Sequence, residues 1–247
     1  MFKRALGPRY YAFLTALHRT LLFDWYLEIG CRTGESVALS RSKTVAVDPF
    51  FRAELNIIGV KPALHVFQQT SDDFFASGFL AKNDIRLAVS FLDGMHLFEF
   101  LLRDFMQTEA ASHPQGVVML HDCAPFTHEM TTRDLTAIRG SWTGDVWKLV
   151  PILQKWRPEL KLTMLDSRPT GLLCVTNLQP GNRVLQDNYA RILAEYMDLD
   201  LAGFGVERFF GLFDYVSSRE EVERGFPLFR SLALDPSQAL EPKLHST

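Results

Sequence analysis

The stretch YLEIGCRTGES, residues 26–36, decides how the rest of the chain is read. An apolar run carries one acid, Glu28, and ends on Gly30, with Gly34 four positions further on. The pattern predicts a strand rising to Gly30 and a helix beginning near Gly34. Glycine lets the chain turn with positive φ and lets a ligand approach bare backbone. The first N–H groups of the helix would then face whatever binds there. A dinucleotide fingerprint needs GxGxxG, whereas this sequence reads GCRTGE, with Arg32 at the middle glycine and Glu35 at the last. A pyrophosphate would also meet Glu28. The loop suits a cationic or neutral ligand.

Outward from this loop, short β-rich runs recur at 26–30, 44–48, 64–68, 86–93 and 117–121, with two more at 160–165 and 172–177. Segments of helical period separate them, so the expectation is α/β: a doubly wound, mostly parallel seven-stranded sheet with helices on both faces. Leu97, Leu101 and Phe105, with Phe98 and Leu102, make one broad apolar face and predict a helix between the fourth and fifth strands. Near Gln179 the pattern changes. PGN at 180–182 marks a turn, and Leu185, Tyr189, Ile192, Leu193 and Tyr196 then predict an amphipathic helix. The division expected is a 1–178 domain with an N-terminal helix and a C-terminal helical extension, 179–247, carrying a capping box at Ser218 to Glu221. Such an extension can form a lid, a homodimer contact, or simply pack against the core.

Composition narrows the function classes. The 247 residues are 47% hydrophobic with 20 Phe, enough for a substantial core. A formal net charge of -3 without long blocks of either sign leaves no electrostatic footprint for nucleic acid. Cys31, Cys123 and Cys174 are too scattered for a disulfide framework or a zinc site, which fits a reducing cytoplasm. The apolar residues near the N-terminus are interrupted by His18, Arg19 and Thr20, so this segment reads as a packing helix rather than a membrane anchor.

Asp48 closes the second run, 20 residues after Glu28, where an acid in this architecture can accept both hydroxyls of a ribose. Taken together, E-I-G-x-x-x-G, VAVDPF and FLDG resemble the class I S-adenosylmethionine-dependent methyltransferases over residues 26–177. The loop spelling IGxRxGES is similar to that of natural-product O-methyltransferases, sugar O-methyltransferases among them. The resemblance implies a Rossmann-like fold, S-adenosylmethionine as cofactor and a small-molecule acceptor such as a sugar or another natural-product hydroxyl. It implies that Glu28, Gly30 and Gly34 hold the methionine portion, with Arg32 in the same cofactor loop where most of the family has glycine, that Asp48 takes the ribose, and that Ser71 and Asp72 lie beside the adenine, with Asp93 completing the cofactor set.

FLDGMHLFEF and VVMLHDCAPFTHEM bring Asp93 and His96 after the fourth strand and His121 and Asp122 at the end of the fifth, so adjacent strand ends should gather all four. Methyl transfer to oxygen needs alignment and a base for the acceptor's proton. Histidine is the side chain most easily poised for that proton near neutral pH. His121 is the first candidate and His96 the second. The structural alternatives are a strand-end histidine satisfying backbone groups and an Asp93 that caps the next helix. His18, His65, His113, His128 and His245 carry no supporting pattern. Asp93 and Asp122 also match positions where metal-dependent O-methyltransferases hold Mg²⁺. Cys123 stands where the catechol-type enzymes have Asn, and a thiolate nucleophile there is a further alternative. In SWTGDVWKLVP, residues 141–151, Asp145, Trp147 and Lys148 are candidates for the acceptor pocket, with Trp147 equally readable as core. Competing functions are a non-catalytic module that binds the same cofactor and, against the missing GxGxxG, an NAD-linked oxidoreductase.

Overall fold

Strands buried on both faces read as continuous apolar runs, and all six residues of LAVSFL, the fourth strand, are buried. The computed structural model describes residues 1–235. Its strands are β1 (Trp25–Ile29), β2 (Lys43–Val47), β3 (Leu64–Phe67), β4 (Leu87–Leu92), β5 (Ser112–His121), β6 (Lys161–Leu165), β7 (Leu172–Thr176) and β8 (Tyr215–Val216). They form one sheet in the order β3-β2-β1-β4-β5-β7-β6-β8. The first five in that order run parallel, β7 is antiparallel to both β5 and β6, and β8 pairs parallel with β6. The expected α/β doubly wound architecture is present, with eight strands instead of seven. The eighth comes from the extension, where two residues, Tyr215 and Val216, pair with Met164 and Leu165.

Side-chain alternation along the strands separates two faces. Tyr26, Val89, Phe91 and Met119 pack against Phe13, Leu14 and Leu17 of helix α1 (Tyr10–Thr20) and against Phe226 and Phe229. Leu27, Ile29, Val45 and Leu120 face the other way. That side is covered by α2 (Ser71–Ala76), α3 (Phe79–Lys82), α4 (Phe98–Ala110) and α5 (Leu149–Trp156). The N-terminal segment is thus a packing helix, and no helix among the described residues is long and apolar enough to cross a membrane.

The helix expected near Gly34 is absent: a single 3₁₀ turn, Val37–Leu39, occupies its place. β1 ends at Ile29 and β2 begins at Lys43, which leaves about the minimum crossover a parallel pair allows. α1 covers the gap, its Tyr11 hydroxyl donating to the Glu35 carbonyl at 2.7 Å. The extension follows the expected apolar period but breaks at Asn188, whose side-chain amide donates to the Val184 carbonyl. Two helices result, α6 (Val184–Asp187) and α7 (Tyr189–Tyr196), before α8 (Leu201–Phe204) and α9 (Val206–Phe210). Leu185, Ile192, Tyr196, Phe204 and Phe209 join the same core as the sheet. The cap of α10 (Ser218–Glu223) lies one residue earlier than the sequence suggests. Ser217 accepts from the Glu220 N–H at 3.2 Å, while the Ser218 hydroxyl donates to Asp166 at 2.6 Å.

Candidate active site

The carboxyl ends of β1, β2 and β4 open into a cleft of about 670 Å³, the position where open parallel sheets bind their ligands. Gly30, Arg32, Asp48, Ser71, Asp72, Asp93 and His96 all line it. Gly30 has φ 86°, and a Cβ there would lie 2.1 Å from the Asp93 carbonyl oxygen. The bare α-carbon therefore admits the end of β4, and Gly30 still borders the cleft. Gly34, φ 81°, likewise makes room for Ile57 at 2.6 Å and stands outside the lining. Arg32, at the position where the resemblance expects glycine, takes φ 34°, a conformation that favours glycine.

Asp48 fastens this loop to the end of β2. Its two carboxylate oxygens accept the Arg32 N–H at 2.8 Å and the Phe50 N–H at 2.6 Å. Glu28 lies behind the loop, fully buried and outside the lining. Strand alternation puts it on the Tyr26 side, where it accepts from the Tyr26 hydroxyl at 2.8 Å and from the Ser36 hydroxyl. Burial pushes its pKa from 4.5 to about 7, against the lowering effect of those two hydroxyls. Glu28 therefore reaches the loop only through Ser36. Asp72 is held bidentately by Arg103 at 2.7 and 2.8 Å. The Arg103 guanidinium also lies over the Phe100 ring, 4.5 Å from its centre.

At the other end of the cleft, one carboxylate oxygen gathers two imidazoles. Asp93 Oδ1 accepts from His121 Nδ1 at 3.1 Å and from His96 Nε2 at 3.3 Å. His96 Nδ1 donates to the Trp142 carbonyl at 2.9 Å and lies 3.4 Å from Asp122 Oδ2. Asp122, in the left-handed region at φ 59°, accepts the Thr170 hydroxyl at 2.6 Å. Burial acts against both histidine charges, yet Asp93 and Asp122 outweigh it and raise both above the ordinary histidine range. Burial would likewise raise Asp93, but His121 and His96 hold it well below the usual carboxylate range.

The four rim residues thus meet, with their order reversed. His96 faces the cleft, whereas His121 is 7% exposed and sits behind Asp93 under the Tyr10 ring, centroids 4.1 Å apart. Asp122 also lies behind the lining. Burial keeps the Cys123 thiol far above its usual pKa, and it donates to the His121 carbonyl at 3.4 Å, so it is neither thiolate nor ligand. The metal-ligating group is larger than the expected pair: donor atoms of Asp93, His96 and Asp122 lie within 4.8 Å of one another.

Asp145, Trp147 and Lys148 do not reach the cleft. They border a separate cavity of about 510 Å³ whose far wall is residues 197–202. Asp145 accepts from the Phe98 N–H at 2.9 Å, from Arg133 at 2.6 Å and from Lys148 at 2.7 Å, so it ties the start of α4 to the loop before α5. Trp147 is core, packed on Phe204 and Phe209. The tryptophan that lines the cleft is Trp142, tilted against His96 with centroids 5.1 Å apart. Tyr10 and Tyr11 also line it and were not predicted. Of the remaining histidines, His18 is buried against Tyr26, His65 packs against Trp25 and Phe79, and His128 packs against Phe2. His245 lies outside the described residues.

Neither a protein-family profile nor a curated protein matches the chain. Among solved structures, it is similar to an O-methyltransferase from Bacillus cereus in complex with SAH, at 16% identity and TM-score 0.47, over 70% of this chain and 82% of that one. It is also similar to the O-methyltransferase TomG from Streptomyces achromogenes, involved in tomaymycin synthesis and in complex with SAM, at 16% identity and TM-score 0.46, over 67% and 78%. A third is the MycE methyltransferase of the mycinamycin biosynthetic pathway, in complex with Mg, SAH and mycinamycin VI, at 11% identity and TM-score 0.45, over 70% of this chain and 49% of that one.

Proposed function

We propose that this protein transfers a methyl group from S-adenosylmethionine to a hydroxyl oxygen of a small molecule. The observation that carries the reading is one cleft with a backbone-rich loop and a strand-end acid at one end and an acid–histidine group at the other. The loop of residues 30–36 holds the methionine portion. Asp48 spends one lone pair of each oxygen on the loop and keeps the others for the ribose hydroxyls. Ser71 and Asp72 border the adenine. Glu28 acts indirectly, by fixing Ser36.

Above its raised pKa His96 keeps the Nδ1 proton on the Trp142 carbonyl and frees Nε2 to act as the base, with His121 as the group that orients and charges Asp93. The acceptor's proton passes to the Asp93–His96 pair, whose raised histidine pKa makes turnover rise on the alkaline side of ordinary histidine titration, near 6.5. A divalent cation fits Asp93, His96 and Asp122, because two carboxylates and an imidazole are a common donor set. Bound there, it would occupy the His96 lone pair and replace the base by lowering the pKa of an acceptor hydroxyl. Mg²⁺ would rest on the two carboxylates, and the imidazole admits Fe²⁺ as an alternative.

Calorimetric titration tests the reading directly. S-adenosylhomocysteine should bind and NADH should not; heat with NADH alone overturns it. Turnover that persists in EDTA removes the metal and leaves methyl transfer standing.

A further inference from the structure

Two aromatic rings flank the acid–histidine group, one on each side. Tyr10 lies on His121 and Trp142 lies on His96, while both imidazoles bind the same oxygen of Asp93. We propose, resting on the methyl-transfer reading, that Tyr10 and Trp142 form a jaw that selects a flat aromatic acceptor carrying one ionisable hydroxyl, a phenol rather than a sugar.

Polar partners at this end of the cleft are few. The hydroxyl- and charge-rich side chains of the lining, Asp48, Ser71 and Asp72 among them, belong to the glycine loop, the end of β2 and the start of α2. Near the jaw, the polar side chains that reach the cleft are Asp93, His96 and the hydroxyls of Tyr10 and Tyr11, the last already given to the Glu35 carbonyl, beside the partly exposed Met95. A sugar brings several hydroxyls, and each one left without a partner opposes binding. A planar ring asks only for apolar and aromatic walls, and its faces and edges match those of Tyr10 and Trp142.

Both jaw residues are held from behind. The Trp142 indole N–H donates to the Thr132 carbonyl at 2.8 Å. The Tyr10 N–H donates to the Arg168 carbonyl at 3.0 Å. The Tyr10 hydroxyl makes no hydrogen bond among the described residues, and burial together with Asp93 and Asp122 pushes its pKa to about 12, so it remains a donor for an acceptor oxygen. A phenol also loses its proton near 10, as tyrosine does, within reach of a histidine base. In the transfer, the phenol oxygen forms the new bond to the methyl carbon as the bond from sulfur to that carbon breaks. The electron pair goes to sulfur, which becomes a neutral thioether, and the phenol proton passes to the Asp93–His96 pair.

The experiment titrates 2-naphthol and methyl α-D-glucopyranoside into the full chain, each with and without S-adenosylhomocysteine. Naphthol should saturate one site and the glucoside should not. Tyr10→Leu and Trp142→Leu, which keep apolar bulk but remove the ring, should each weaken naphthol about tenfold, with Tyr10→Phe and Trp142→Phe restoring most of the affinity. Naphthol that fails to saturate, a glucoside that binds in its place, or Leu variants indistinguishable from wild type overturns the jaw. Naphthol binding with no binding of S-adenosylhomocysteine sinks methyl transfer and leaves the jaw intact.

Discussion

The two ends of the cleft are built by opposite means. At the glycine-loop end, Glu28 is buried among neutral hydroxyls and its pKa rises to about 7. At the rim, Asp93 is also withdrawn from water, yet two imidazoles pull it down. Burial has the same sign in both places, so the partners decide the outcome. Glu28 is held by uncharged hydroxyls, and Asp93 by charge.

That contrast is most exposed to Asp93→Ala. Removing the shared acceptor leaves two raised histidines beside Asp122, and breaking a buried pair of this kind costs about 3–5 kcal/mol. Chemical denaturation should show a loss of that size, with turnover abolished. A loss below about 1 kcal/mol would place the rim among ordinary surface ion pairs.

Glu28 sharpens the other side. Its folded pKa lies above its unfolded value of 4.5, so between about 4.5 and 7 the native state binds more protons, and stability falls as pH rises through that window. The integrated fall is about 3 kcal/mol. Glu28→Gln should flatten it, and a melting-temperature profile unchanged by the substitution would remove Glu28 from the account.

A smaller effect is expected from Asp48→Ala, which removes the acceptor for the Arg32 and Phe50 N–H groups. Cofactor affinity should weaken by about 1.5 kcal/mol, roughly tenfold, in a calorimetric titration. Smallest is Arg32→Gly. Relief of the positive φ and the added freedom of the unfolded chain oppose each other, so stability should stay within about 1 kcal/mol of wild type. A larger change would mean that the arginine side chain itself holds the loop.

The same contrast explains what the sequence disclosed. The glycine-loop end is local: Gly30 and Asp48 each follow their own strand, so period and turn chemistry point to them, while Ser71 is reached only through the family resemblance. The eighth strand has two residues, too few to leave an alternating signal. The missing helix after Gly34 was misread because helix signals do not measure whether the crossover has room for one. The jaw is assembled from segments about a hundred residues and more apart, and nothing near Tyr10 or Trp142 announces it. Trp147 reads equally as pocket or core in the sequence, and its place in the apolar run of Val146, Leu149 and Val150 marks it as core. Gly144, two residues after Trp142, was the available hint of a loop there.

The stitching of the chain's start to a late loop also sets a timetable for synthesis. The Arg168 guanidinium donates to the Gly7 carbonyl across 161 positions, and the Arg168 main chain pairs with Pro8 and Tyr10. On the ribosome, Tyr10 emerges long before its anchor at Arg168 exists, so helix α1 must wait for that anchor until residue 168 has left the tunnel. Chaperone contact with nascent chains should therefore persist until residue 168 has emerged.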